Sequence, residues 1–178
     1  MEPQPLAFKQ ESNNPYQMCP RPLTPPSAPL CEYRSTTNAF QITFDVSDPM
    51  HLAKFWAIAL GYVVQPPPAG YETWDDFADE IAMPVETRGD LAAIIDPEEV
   101  RPRVLFQRVP EAKATKNRVH LDINIAEGRA NNVSQAAAIE AHVELLIASG
   151  ATKIKEFDDM SGRWTVMWDP EGNEFCVQ

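Results

Sequence analysis

The residue types able to do chemistry in this chain are few and widely spaced. Its three cysteines, Cys19, Cys31 and Cys176, form no C-x-x-C pair, so neither a disulfide framework nor a zinc knuckle is indicated. Cys176 falls in the short apolar run F-C-V, where a cysteine reads as a small buried hydrophobe. Of the three histidines, His51 and His142 fall on predicted helices and read as surface or packing residues. His120 differs, because it stands on the polar side of the alternating stretch V-H-L-D-I-N-I-A-E. A histidine in such a place either meets a hydrogen-bond partner or holds a metal. Glu174 lies in D-P-E-G-N-E, where the turn backbone or a basic neighbour such as Arg118 is its ordinary partner. Trp56, Trp74, Phe106, Trp164 and Trp168 are candidates for stacking on an organic ligand. Among them Trp56 is expected to pack on a sheet, whereas Phe106 and Trp164 stand on strands. Lys116 and Arg118 offer charge to an anionic substrate, and otherwise read as solvated surface. The acids Asp75, Asp76, Asp79 and Glu80 read as a solvated face.

The elements that must position these groups come in two similar sets. F-Q-I-T-F-D-V-S-D places Phe40, Ile42, Phe44 and Val46 on one face of a strand, with Gln41, Thr43 and Asp45 on the other. Asp48 and Pro49 then supply an N-cap and a first helical position for a helix over 49–60, which Gly61 ends. A second strand is predicted over 62–65 and further strands over 91–95 and 104–109. Residues 71–86 fit a helix or a loop equally. The second half restates this order. Gln41 to Asp48 spans the same step as His120 to Glu127, so an offset of about 79 residues superposes the two opening strands and makes Gln41 equivalent to His120. A helix over 132–148 follows, with Ile139, Val143, Leu146 and Ile147 on its buried stripe, and then strands over 151–157, 163–168 and 173–177. Even the turns agree, since I-I-D-P-E at 94–98 echoes M-W-D-P-E at 167–171. The class is therefore α+β, built from two βαβββ modules at about 39–110 and 117–178.

Composition bounds the rest. The chain has 178 residues, with 26 acids against 15 Lys and Arg, for a net charge of −11. This is the opposite of the basic footprint that neutralises phosphates, so nucleic acid is excluded as the expected partner. No apolar stretch approaches the ~20 residues that span a bilayer, so no membrane partner is expected. Nor does a basic segment followed by an apolar run open the sequence, and a cytoplasmic location is expected. Residues 1–38 are of another kind: eight of the 17 prolines fall within the first 30 positions, without apolar periodicity. That segment reads as a disordered extension.

These motifs bear a resemblance. D-V-S-D-P with L-A-K-F-W-A-I-A-L-G-Y, K-N-R-V-H-L-D-I, and the ending W-D-P-E-G-N-E-F-C-V together resemble the vicinal oxygen chelate superfamily, in its glyoxalase-like and bleomycin-resistance-like members. The resemblance covers about residues 40–177. It implies paired modules whose strands curl into an open β-sheet cup, a small-molecule ligand within it, and a homodimer. It also implies a divalent metal (Zn²⁺, Ni²⁺, Mn²⁺ or Fe²⁺) in the catalytic members and none in the binders. Carried over by position, the metal ligands are Gln41, His120 and Glu174, with Glu174 also the catalytic carboxylate. Phe106, Gln107, Arg118 and Trp164 are then the substrate-binding candidates. A fourth ligand, a glutamate on the last strand of module one in the family's isomerases, has no carboxylate counterpart; Leu105 and Gln107 stand near its place. The expected function is a metal-dependent enzyme of the lyase, isomerase or dioxygenase type, or alternatively a metal-free protein that sequesters a cationic, antibiotic-type molecule by charge steering and aromatic stacking.

Overall fold

The computed structural model describes residues 39–125, 134–160 and 162–178. Cys19, Cys31 and the proline-rich segment lie outside the described residues, as does the predicted start of the second long helix.

Strand β1 (Ile42–Val46) leads into helix α1 (Pro49–Leu60). The Asp48 carboxylate accepts the His51 N–H at 3.0 Å, and Pro49 occupies the first helical turn, where its missing N–H costs nothing. Gly61 closes the helix in the left-handed conformation, at φ 69°. After β2 (Val63–Val64), the region that fitted helix or loop forms a short helix, α2 (Trp74–Glu80). A reciprocal cap decides it: the Thr73 hydroxyl accepts the Asp76 N–H, and the Asp76 carboxylate accepts the Thr73 N–H. β3 (Leu91–Ile95) and β4 (Val104–Arg108) complete module one. Module two has β5 (Asp122–Ile123), α3 (Gln135–Ala148), β6 (Thr152–Asp159), β7 (Gly162–Trp168) and β8 (Glu174–Val177).

The two sheets have the same topology, β1-β4-β3-β2 and β5-β8-β7-β6. In each, the first strand lies parallel to the last, and all other pairs are antiparallel. Two βαβββ modules are thus present in four-stranded mixed sheets, and the described residues form no closed barrel. The turn echo is structural too: Asp96 accepts the Glu98 N–H and Asp169 accepts the Glu171 N–H, each two residues on.

One apolar core serves both modules on the helix side of the sheets. Trp56, Leu52, Phe106, Ile139, Leu146, Met167 and Phe175 are all essentially buried in it. Each such side chain contributes roughly 1.5–3 kcal/mol of transfer free energy. The Trp56 and Phe175 rings meet across the modules with centroids 5.2 Å apart. His142 is buried, its Nε2 3.1 Å from the Ala59 carbonyl oxygen, which ties α3 to α1.

Three expectations need correcting. Phe106 is wholly buried and stacked on Phe44, with centroids 5.4 Å apart, so this residue is core and cannot meet a ligand on the open face. Ile147 is 39% exposed, because the buried stripe of α3 runs through Ala138, Ile139, His142, Val143 and Leu146 and has rotated past it. The second opening strand is short. Its predicted alternation survives in Leu121, Ile123 and Ile125, which pack on the core, but ladder pairing is confined to Asp122 and Ile123. Among the described residues no helix is long and apolar enough to cross a membrane.

Candidate functional site

Register decides which side chains share the open face. In module one Ile42 pairs with Val104 and Phe44 with Phe106, and these four belong to the core side. The alternate positions Gln41, Thr43 and Asp45 therefore share the other face with Arg103, Leu105 and Gln107. In module two Asp122 pairs with Cys176 and Ile123 with Val177, and the latter two are buried. Asp122 and Cys176 accordingly lie on the open face, as do His120 and Glu174 two residues back. Through the repeat, Thr43 answers to Asp122 and Leu105 to Cys176. The position answering to Glu174 is Arg103, not Leu105 or Gln107.

That exchange of a carboxylate for a guanidinium reorganises the site. Arg103 donates to Gln41 Oε1 at 2.9 Å and, through Nε, to Gln65 Oε1 at 2.7 Å. Burial holds the Arg103 pKa below its ordinary value. In module two, Glu174 accepts the Asn117 N–H at 2.9 Å and pairs with Lys113 Nζ at 3.2 Å. Burial alone would raise the Glu174 pKa, but the Asn117 N–H and the Lys113 ammonium more than offset it and hold it below 4.5. His120 Nδ1 lies 2.9 Å from Asp122 Oδ1. Beside them, burial first and Asp122 second push the Cys176 thiol up to about 11.

A cavity of about 850 Å³ runs along β1, bounded by the 109–121 connection and the 170–174 turn. Its apolar wall includes Ile42, Phe44, Val46 and Trp56. Its polar wall carries Asp45, Glu111, Glu171, Glu174, His120 and Lys113. Glu171 is engaged with the start of α1, accepting the Ser47 N–H, the Ser47 hydroxyl and the Asp48 N–H at 2.8 Å each. Asp45 and Glu111 are exposed.

Of the three metal ligands expected from the resemblance, the cavity brings together His120 and Glu174. Gln41 lies outside its lining, on the exposed start of β1. Gln107 is exposed, in register with Asp45 and Leu91. Arg118 is exposed and outside the lining, and Glu174 takes Lys113 rather than Arg118 as its cation. Trp164 stacks on Phe157, with centroids 4.9 Å apart and planes 11° from parallel, and Lys155 Nζ sits 4.5 Å over the Phe157 ring. A divalent metal does not fit Gln41, His120 and Glu174 as arranged here. The Gln41 oxygen accepts a hydrogen bond from Arg103 and the Glu174 carboxylate is paired with Lys113, so two of the three donors are already engaged with protein cations.

Sequence reading passed over Arg103, Lys113, Asp122 and Cys176. Parity would have found two of them: His120 and Asp122 are two apart in the alternating stretch V-H-L-D-I, and Cys176 shares parity with Glu174 rather than with buried Phe175. Cys176 is partly buried on the polar face, not a core hydrophobe. The thiol of Cys176, a carboxylate oxygen of Asp122 and a ring nitrogen of His120 all lie within 4.8 Å of one another.

Residues 41–178 match the model of the glyoxalase-like domain family. The chain belongs to that family. No curated protein matches it. Among solved structures, a glyoxalase/bleomycin resistance/dioxygenase family enzyme from Burkholderia phytofirmans PsJN aligns at TM-score 0.50 and 17% identity, over 77% of this chain and 94% of that one. The fosfomycin resistance protein FosX from Mesorhizobium loti aligns at TM-score 0.51 and 12% identity, over 79% and 89%. A FosX mutant from Listeria monocytogenes, complexed with Mn(II) and a dihydroxypropylphosphonic acid, aligns at TM-score 0.50 and 11% identity, over 78% and 86%. At these identities the likeness establishes the shared fold, and the family's chemistry has to be argued from the side chains of this chain.

Proposed function

We propose that this glyoxalase-like protein binds a small organic cation in the cavity beside β1, holding its apolar body against the half-buried Ile42 and Phe44. The observation that carries this reading is the charge of the opposite wall. Four carboxylates (Asp45, Glu111, Glu171 and Glu174) face one lysine, Lys113, among the lining residues, an excess of three carboxylates over lysine. The net charge of −11 adds long-range attraction of the same sign. No metal is needed for such binding, in keeping with the cations that already occupy Gln41 and Glu174.

The test is a titration of small aromatic cations, with neutral and anionic isosteres, read by tryptophan fluorescence. Cations should bind best, their affinity should fall as salt is raised, and a chelator should change nothing. Asp45→Asn combined with Glu111→Gln should weaken the cation several-fold. Equal binding of an anionic isostere would overturn the reading.

A second reading, a metal-dependent enzyme of the lyase or isomerase type acting through Gln41, His120 and Glu174, is supported by one observation: His120 and Glu174 line the same cavity. It requires Arg103 and Lys113 to yield their partners to the metal. Chelator-sensitive turnover that disappears in both His120→Ala and Glu174→Gln would establish it in place of the first.

A further inference from the structure

We infer that module two carries a zinc-type metal site of its own, made by His120, Asp122 and Cys176. Three observations point to it independently of the cavity ligand. The three ligand atoms lie within 4.8 Å of one another; a tetrahedral ion with ~2.0–2.3 Å bonds holds its ligands roughly 3.3–3.8 Å apart, so side-chain rotations of about an ångström close the set around one ion. The backbone sets part of that convergence, since Cys176 stands directly opposite Asp122 in the parallel β5–β8 pair, and His120, in the segment leading into β5, brings its Nδ1 to 2.9 Å from Asp122 Oδ1. The equivalent places in module one hold Gln41, Thr43 and Leu105, which offer no such set. The fold alone therefore does not impose this trio, and module two supplies a thiol, an imidazole and a carboxylate where its twin has an amide, a hydroxyl and a hydrocarbon.

Thiolate, imidazole and carboxylate together select Zn²⁺ or Co²⁺ over Mg²⁺ or Ca²⁺, which take oxygen ligands. On binding, the cation displaces the Cys176 thiol proton to solvent and takes up the nitrogen and carboxylate that now face each other at 2.9 Å. Three protein ligands leave a fourth position for water or for an oxygen of a bound molecule. Glu174, held by Lys113 and the Asn117 N–H, is not a ligand in this arrangement.

The test is a Co²⁺ titration of the full-length protein, with any affinity tag removed, followed by absorption spectroscopy. One equivalent should produce thiolate-to-cobalt charge transfer in the near ultraviolet. The band should vanish in Cys176→Ser, weaken at least ten-fold in apparent affinity in Asp122→Asn, and persist in Glu174→Gln. Because a variant can also fail by misfolding, the wild-type protein supplies a second readout: Zn²⁺ should protect Cys176 from alkylation, mapped by mass spectrometry, while leaving Cys19 and Cys31 as reactive as before. A band that survives Cys176→Ser, a band lost in Glu174→Gln but kept in Cys176→Ser, or no band at all would each overturn the site. Cation binding in the cavity is read without metal, so either result leaves that reading to its own test.

Discussion

Arg103 donates to the Gln41 side-chain oxygen at 2.9 Å, from the strand position that answers to Glu174 in the other module. Where one half of the repeat presents a carboxylate beside its opening strand, the other presents a guanidinium that neutralises nothing and is satisfied by two amides. The two halves share a backbone and have opposite electrostatics at the same place.

Arg103→Met should therefore destabilise the fold rather than improve the site. It removes the donor to the Gln41 and Gln65 oxygens; Gln41 is exposed and takes water instead, so the loss is about 0.5–1.5 kcal/mol, centred on the partly buried Gln65. Urea unfolding monitored by circular dichroism should show the midpoint falling with the slope unchanged.

Phe106→Leu should lower stability and leave cavity binding untouched. The ring is fully buried against Phe44 on the helix side of the sheet, so the loss is one of packing, about 1–3 kcal/mol, and short of the 3–5 kcal/mol for full truncation to alanine. Equal affinity for the cationic probe in wild type and variant checks it; a large change in affinity would return Phe106 to the ligand.

Trp56→Phe should cost more than the small loss of ring area. The indole N–H donates at 3.1 Å to Asp169, a carboxylate only 3% exposed whose other donors are the Asn173 amide and the backbone N–H groups of Glu171 and Asn173. Removing one donor from a buried carboxylate costs roughly 1–3 kcal/mol. Burial already raises the Asp169 pKa despite those hydrogen bonds, and the variant should raise it further. Since a raised carboxylate pKa favours the folded state at low pH and loses that advantage as pH rises, the deficit of the variant should widen from mildly acidic to neutral pH in thermal melts.

Glu174→Gln should show the opposite pH dependence. The Glu174 pKa is held below 4.5 by the Asn117 N–H and Lys113 against the effect of burial. A depressed carboxylate stabilises the folded state above its unfolded pKa, and that contribution is lost as pH falls through the folded value. The variant should thus melt below wild type at neutral pH, with the gap closing as the pH falls through and below the ordinary glutamate range.

Much of this architecture was legible because local signals and burial agree. Asp48-Pro49 and Gly61 bracket α1 as capping chemistry requires, and the repeated polar–apolar alternation around Gln41 and His120 names the two opening strands. The short helix at Trp74–Glu80 was not legible from periodicity, because seven residues hold too few turns for a stripe to stand out; its capping box carries the signal instead. The site was only half legible. His120 and Glu174 lie in the recurrent motifs, whereas Lys113 and Asn117 come from an irregular connection with no period to read. Arg103 was hidden for another reason: aligning the last strands by their phenylalanines, Phe106 with Phe175, puts Leu105 opposite Glu174, while the hydrogen-bond register puts Arg103 there. A two-residue shift keeps the face and changes the side chain.

The clasp between the 169–173 turn and α1 has a consequence for how the chain is made. Glu171 satisfies the N–H groups of Ser47 and Asp48, and Asp169 receives the Trp56 indole, across more than a hundred intervening residues. During synthesis the first helix leaves the ribosome long before its own clasp does. Module one must wait, with the Trp56 indole N–H lacking its Asp169 acceptor, until nearly the last strand has been translated, so the order in which this protein is written is not the order in which its first helix is secured.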